Sequence, residues 1–168
     1  MRYLCRQNPL PVRLIRFILI SIVLLFGLWT LISLMIPSHV VISRATNIAA
    51  APSAIFGRIN DSSQWNRWHP WFAQRTEENA RVRFLWQQRT DTQSTVVLTY
   101  PGARNLHNTW KLHSYPGADS ATLQWRIDFH LRWYPWEKFS SLLFESNYGG
   151  VMQQGLETLK KDIESDGK

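Results

Sequence analysis

No position from 17 to 36 carries a charge, and these twenty residues are apolar apart from Ser21, Gly27, Thr30 and Ser33. At about 1.5 Å of rise per residue such a run spans about 30 Å, the thickness of a bilayer's hydrocarbon core. Lipid offers the backbone no hydrogen-bond partner, so the pattern predicts a membrane-spanning helix. A core helix of a soluble domain would carry a polar face, and this run has none. A cleaved signal peptide has a shorter apolar region that ends at small residues. This run ends in Leu34, Met35, Ile36 and Pro37, which favours an uncleaved anchor.

Past the connector at 37–39 the pattern changes to short periods. Residues 40–48 are rich in β-branched side chains and predict a strand. Pro52 suits the first turn of a short helix whose apolar face is Ile55, Phe56 and Ile59. The run Asn60, Asp61, Ser62 and Ser63 breaks that helix and caps the next turn. Trp65 and Trp68 lie three apart, on one side of a helical turn that Pro70 stops. Residues 73–79 are polar and predict a loop.

Four more strands follow from alternation. Val82, Phe84 and Trp86 share one face of the first, and Val96, Leu98 and Tyr100 one face of the second. Leu106, Trp110 and Leu112 line the third. In the last, Leu123, Trp125, Ile127, Phe129, Leu131 and Trp133 alternate with Gln124, Arg126, Asp128, His130 and Arg132. Such alternation predicts an antiparallel sheet with one apolar and one wet face. Pro101-Gly102 and Pro116-Gly117 mark turns. After Pro135 the period becomes helical: Met152, Leu156, Leu159 and Ile163 form one stripe, Phe139, Leu142 and Leu143 fit an earlier turn, and Gly149-Gly150 is a place to bend or interrupt. The 132 residues after the anchor suit one domain.

Charge bears on orientation more than on fold. Of the net +7, four charges are Arg2, Arg6, Arg13 and Arg16 ahead of the apolar run, and no acidic residue precedes Asp61. The positive-inside bias puts residues 1–16 in the cytoplasm and the domain on the extracytoplasmic, periplasmic side of the inner membrane. The domain keeps only +3 and has no basic run, so nucleic acid is not an expected partner. Arg81, Arg83 and Arg89 form a modest stripe, read as a solvated strand face or one turned to anionic headgroups. Cys5 is the sole cysteine, which excludes an internal disulfide and a cysteine-based zinc site. It is a free thiol or, near the membrane, a palmitoylation site. Eight of the nine tryptophans follow the anchor, enough to fill a core, line a pocket or meet a membrane interface.

Three segments carry a family resemblance. Residues 40–44 leading into Ala50, Ala51 and Pro52 resemble an opening strand followed by an Ala-Pro-Pro-type helix start, with one Pro absent here. Asn60, Asp61, Trp65, Trp68, Pro70 and Trp71 resemble an Asn-Asp, Trp, Trp-x-Pro-Trp segment. Gly150, Gly155, Leu156 and Leu159 resemble a C-terminal helix. In order and spacing they are similar to the START/Bet v 1-like superfamily, and more narrowly to small bacterial polyketide cyclase/dehydrase-like proteins, over residues 39–164. The resemblance implies an α+β helix-grip fold, a curved antiparallel sheet wrapped around a long C-terminal helix, with an apolar cavity between them in many members. Between Phe72 and Val82 there is little room for two strands the family usually has, so five strands are expected and a smaller cavity or none.

No Gly-rich phosphate loop, His-Glu-x-x-His or Gly-x-Ser-x-Gly motif is present. Neither a cofactor nor a metal is expected. His107 and His113 are six residues apart on one strand, too far to share a metal directly. Asp128 and His130 belong to a polar row that reads as an exposed strand face; the catalytic alternative is a proton-transfer pair facing a cavity. Trp65, Trp68 and Trp71 read as packing of short helices on the sheet, or as the rim of a ligand entry. The candidate ligand-lining residues are these three with Phe84, Trp86, Trp110, Trp125 and Phe129. Trp133, Tyr134 and Trp136 cap the sheet or dip into the membrane interface. The expected partners are the bilayer and an apolar small molecule or lipid bound without catalysis; no protein partner is identifiable. The alternatives are a cyclase- or hydratase-like enzyme, and an envelope protein-interaction module without a cavity.

Overall fold

A computed structural model describes residues 12–73, 77–101, 105–114 and 120–166. Cys5, Arg2, Arg6 and the turns at Gly102 and Pro116-Gly117 lie outside the described residues. The chain begins with helix α1 (Val12–Leu34), which is long and apolar enough to cross a membrane and is almost entirely uncovered by the rest of the protein.

The domain follows the expected order. Strand β1 (His39–Ile48) leads to α2 (Pro52–Asn60), a 3-10 turn (Ser62–Gln64) and the single-turn helix α3 (Trp65–Trp68). Ile55, Phe56 and Ile59 are buried, as their spacing predicted. Asp61 caps the following turn by accepting from the Ser63 N–H at 3.0 Å. Four strands come next: β2 (Arg83–Arg89), β3 (Gln93–Thr99), β4 (Leu106–Ser114) and β5 (Ala121–His130). Helix α5 (Pro135–Ser141), a π-helical turn (Glu145–Gly149) and α6 (Gly150–Asp166) complete it.

All five strands form one antiparallel sheet in the order β1-β5-β4-β3-β2. One face carries Ile42, Val96, Leu98, Trp110, Leu123, Trp125 and Ile127, all buried. Helix α6 lies against this face with Met152, Leu156, Leu159 and Ile163 inward, giving the helix-grip architecture. Gly155 permits the closest approach: a Cβ there would meet Pro70 Cδ at 2.7 Å and Trp125 Cζ3 at 3.1 Å. Arg58 reaches from α2 to Asp162 and Asp166, tying the end of α6 to the front of the domain.

Two expectations need correction. Alternation through Trp133 predicts a longer last strand, but β5 ends at His130, whose partner His39 is the first residue of β1. With no strand beyond His39, the ladder stops; Leu131 still donates its N–H to the Ser38 carbonyl at 2.7 Å, and Trp133 projects outward, exposed. The polar segment expected as a loop contains a helical turn, α4 (Glu77–Ala80). Among the described residues the sheet has five strands, the number expected.

Candidate functional site

The space between sheet and α6 is occupied by aromatic rings. Trp65 and Trp68 from α3 meet edge to face at 6.0 Å and pack on Trp110 of β4 at 5.4 and 6.3 Å. Trp125 of β5 lies 5.6 Å from Trp110 and 6.2 Å from Trp68. Trp65, Trp110 and Trp125 have 0% exposure and Trp68 has 2%, so almost no water-sized space adjoins them. Two of the indoles are held by hydrogen bonds: Trp65 Nε1 donates to the Ile59 carbonyl at 2.8 Å, and Trp125 Nε1 to Asn108 Oδ1 at 3.0 Å. Here the Trp-x-x-Trp spacing has its physical role, for one turn of helix drops two large rings into the concavity of the sheet.

At the centre sits His69, which the sequence reading did not single out. Its ring stacks on Trp65 at 4.7 Å with 5° between planes and touches Trp125 at 5.0 Å, Trp71 at 5.3 Å and Phe72 at 4.9 Å. Neither ring nitrogen has a hydrogen-bond partner, and the indole N–H groups of Trp68 and Trp110 are likewise buried without one. Burial among apolar rings lowers the His69 pKa to about 3, so the imidazole is neutral across the physiological range. The one sequence signal for it was position: a residue between Trp68 and Pro70 has little freedom to leave the cluster.

The remaining ligand-lining candidates lie at two ends of this interior. Phe84 and Trp86 on β2 are half-buried and meet Trp65 at 5.2 and 5.8 Å. Trp71 and Phe129 join a row at the opposite end. Phe129 lies 4.7 Å from Phe144 and 5.0 Å from Tyr148, and Tyr148 lies 5.8 Å from Trp71. Trp71 then touches His69 and Trp125. Phe144 and Tyr148 were missed because they sit on the irregular stretch around the π-helical turn, where no single period applies.

Asp128 and His130 occupy the other face of the sheet. Residues pointing inward on β5 are the odd-numbered ones, so the pair projects away from α6. Asp128 accepts from Arg126 Nε at 3.1 Å and Nη2 at 2.6 Å, and its Oδ1 lies 3.0 Å from His39 Nε2. Partial burial works to raise this carboxyl, but the Arg126 hydrogen bonds and charge, with His39, outweigh it and hold it below the usual carboxylate range. His130 stacks on His39 at 4.7 Å and meets His107 edge-on at 5.9 Å. Among the described residues no group of three or more His, Cys, Asp or Glu is arranged to hold a metal ion.

Comparison with known proteins agrees with this architecture. Residues 39–164 match the family described as polyketide cyclase / dehydrase and lipid transport, and the chain belongs to that family. Its fold is similar to a START superfamily protein from Mycobacterium smegmatis (TM-score 0.53, 14% identity, 74% of this chain and 97% of that one). It is also similar to XoxI from Bacillus cereus (TM-score 0.51, 15% identity, 79% and 99%) and to CV1439 from Chromobacterium violaceum (0.50, 14%, 76% and 99%). At such identities the likeness is one of fold. No curated protein matches the sequence.

Proposed function

We propose that this protein is a membrane-anchored helix-grip domain that binds an apolar small molecule or lipid without catalysing its conversion. Helix α1 serves as the anchor in the inner membrane, with residues 1–16 cytoplasmic and the domain on the periplasmic side; the arginines ahead of the uncharged run, Arg13 and Arg16 in the first turns of α1 among them, support that orientation. One observation carries the binding reading. The partly buried row Phe144, Tyr148 and Trp71 leads from the surface to His69, Trp68 and Trp110, whose buried N–H and imidazole groups lack partners. Such groups are costly to leave unpaired, and the hydroxyl or carbonyl of an amphiphile pairs with one or two of them while its apolar body lies on the rings. Binding rather than catalysis is favoured because no acid or base partners His69, while Asp128 is committed to Arg126 and His39 on the opposite face.

A second reading, an envelope protein-interaction module, is favoured by the complete burial of Trp65, Trp110 and Trp125, since a ligand reaches them only if the rings part. The test is native mass spectrometry of the full chain released from detergent, with lipid extraction and titration with a fluorescent fatty acid. Binding predicts a co-purified adduct and a saturable signal, both weakened at least several-fold by Tyr148→Ala. No adduct and no saturation in the wild-type protein would sink the binding reading and leave the interaction module.

A further inference from the structure

Helix α5 is built the wrong way round for a surface in water. Its buried residues are Pro135, Lys138 and Ser141, spaced three apart on one stripe. Around them Trp133 is 64% exposed, Trp136 54%, Leu142 64% and Leu143 61%. A soluble helix hides its apolar stripe and shows its charges. A contiguous group of large apolar side chains left outside marks a surface with a partner.

The same helix is packed against α1. Lys138, 3% exposed, donates from Nζ to the Ile36 carbonyl at 2.7 Å and to Ser38 Oγ at 2.6 Å, just past the end of α1. Phe139 stacks on Trp29 at 5.8 Å, and Ser33, one helical turn on from Trp29, is buried. Trp29 lies seven residues before Ile36, about 10 Å along the helix axis. Trp136 lies one turn before Phe139 on α5 and Leu143 lies in the turn just past the helix, so exposed apolar side chains stand on either side in sequence of the ring that touches α1.

We propose that α5 and its flanks, from Trp133 to Leu143, form a second membrane contact, a short segment lying in the headgroup layer and upper acyl region beside α1. The proposal rests on α1 being the membrane anchor. If Ile36 stands at the edge of the bilayer, a ring stacked on Trp29 is at lipid depth, and a helix carrying that ring cannot ride clear of the surface. Trp133, Tyr134 and Trp136 are residue types that settle at the membrane–water boundary, and Arg132 beside them suits anionic headgroups. Lys138 makes the arrangement rigid: it neutralises the carbonyl-rich end of α1 while holding α5 against it. The bilayer is the occupant favoured over a protein because the patch adjoins α1 through Phe139 on Trp29, and α1 is long and apolar enough to cross a membrane.

The test is depth measurement on the full chain in lipid nanodiscs containing anionic lipid. A nitroxide is placed by Leu143→Cys or, in a second variant, Trp136→Cys, on a Cys5→Ser background. Leu25→Cys reports the anchor, and Lys111→Cys on the outer sheet face reports water. Both positions, Trp136 on α5 and Leu143 just past its end, are exposed and lie outside the packed interior. The expected result is an oxygen-to-nickel-chelate accessibility ratio at Leu143 several-fold above that at Lys111 and approaching that at Leu25. A ratio at both α5 sites equal to Lys111, with Leu25 in lipid, overturns the α5 contact alone. A water-like ratio at Leu25 overturns the anchor and the proposal with it. Shielding of the α5 sites from both agents means that protein covers the patch, and also overturns it.

Discussion

His69 is the residue on which the interior turns. Its folded pKa, about 3, lies below the ordinary value of 6.5 that it regains on unfolding. The native state therefore binds fewer protons than the unfolded one between these values. The contribution to stability is whole above pH 6.5 and is lost as pH falls through 6.5 toward 3. At about 1.4 kcal/mol per pH unit, the loss between pH 7 and pH 4.5 is about 2–3 kcal/mol. Urea unfolding of the full chain in a non-ionic detergent should show the midpoint falling over that range. His69→Phe, which keeps an aromatic ring among Trp65, Phe72 and Trp125, should flatten the slope. An unchanged slope would assign it to other groups. Nothing in the alternation of the chain marks His69, because its environment is assembled from α3, β4 and β5, which only the folded chain brings together.

Among the elements, α6 and the strands β2 to β5 were legible because each buries one face, and a buried face writes its period into the sequence, while β1 was legible from its β-branched side chains. Boundaries were less legible. The apolar alternation of β5 runs on to Trp133, yet a strand needs a neighbour to bond, and the register places the last pair at His39 and His130. Helix α5 was legible only as Phe139, Leu142 and Leu143 on some earlier turn, since its buried stripe contains Lys138 and its exposed one is apolar. The contact of α6 with Pro70 and Trp125 was legible only as Gly155 in the C-terminal motif. Gly155→Ala gains about 1 kcal/mol of helix propensity, but the new methyl meets the rigid Pro70 ring and Trp125, an overpacking cost of about 1–3 kcal/mol. The expected outcome is a net loss of up to about 2 kcal/mol, read as a lower unfolding midpoint. An unchanged or raised midpoint would mean that α6 shifts freely away from Pro70.

For the whole molecule, the orientation reading makes its own prediction. In right-side-out vesicles an added protease should digest the folded domain and leave the segment before α1 protected, while inverted vesicles should give the reverse. Protection of the domain in right-side-out vesicles would overturn the assignment made from the N-terminal arginines. If the orientation stands, an apolar ligand would be drawn from the outer leaflet, and Phe144 lies next in sequence to the exposed Leu143 of the proposed membrane contact.

What the sequence determined by itself was everything local and periodic: an uncharged run of bilayer length, a β-branched strand and four alternating ones, a helical stripe at the end, and motifs whose order resembles a known family. These follow from single elements facing either water or apolar surroundings, and composition records that choice position by position. Tertiary structure alone decided which aromatics seal one another, that His69 lies unpaired among them, that Asp128 meets His39 across the outer face of the sheet, and that Lys138 holds α5 against α1. Each of these is a meeting of residues distant in sequence, set by strand register and helix packing, and a one-dimensional pattern carries no record of such meetings.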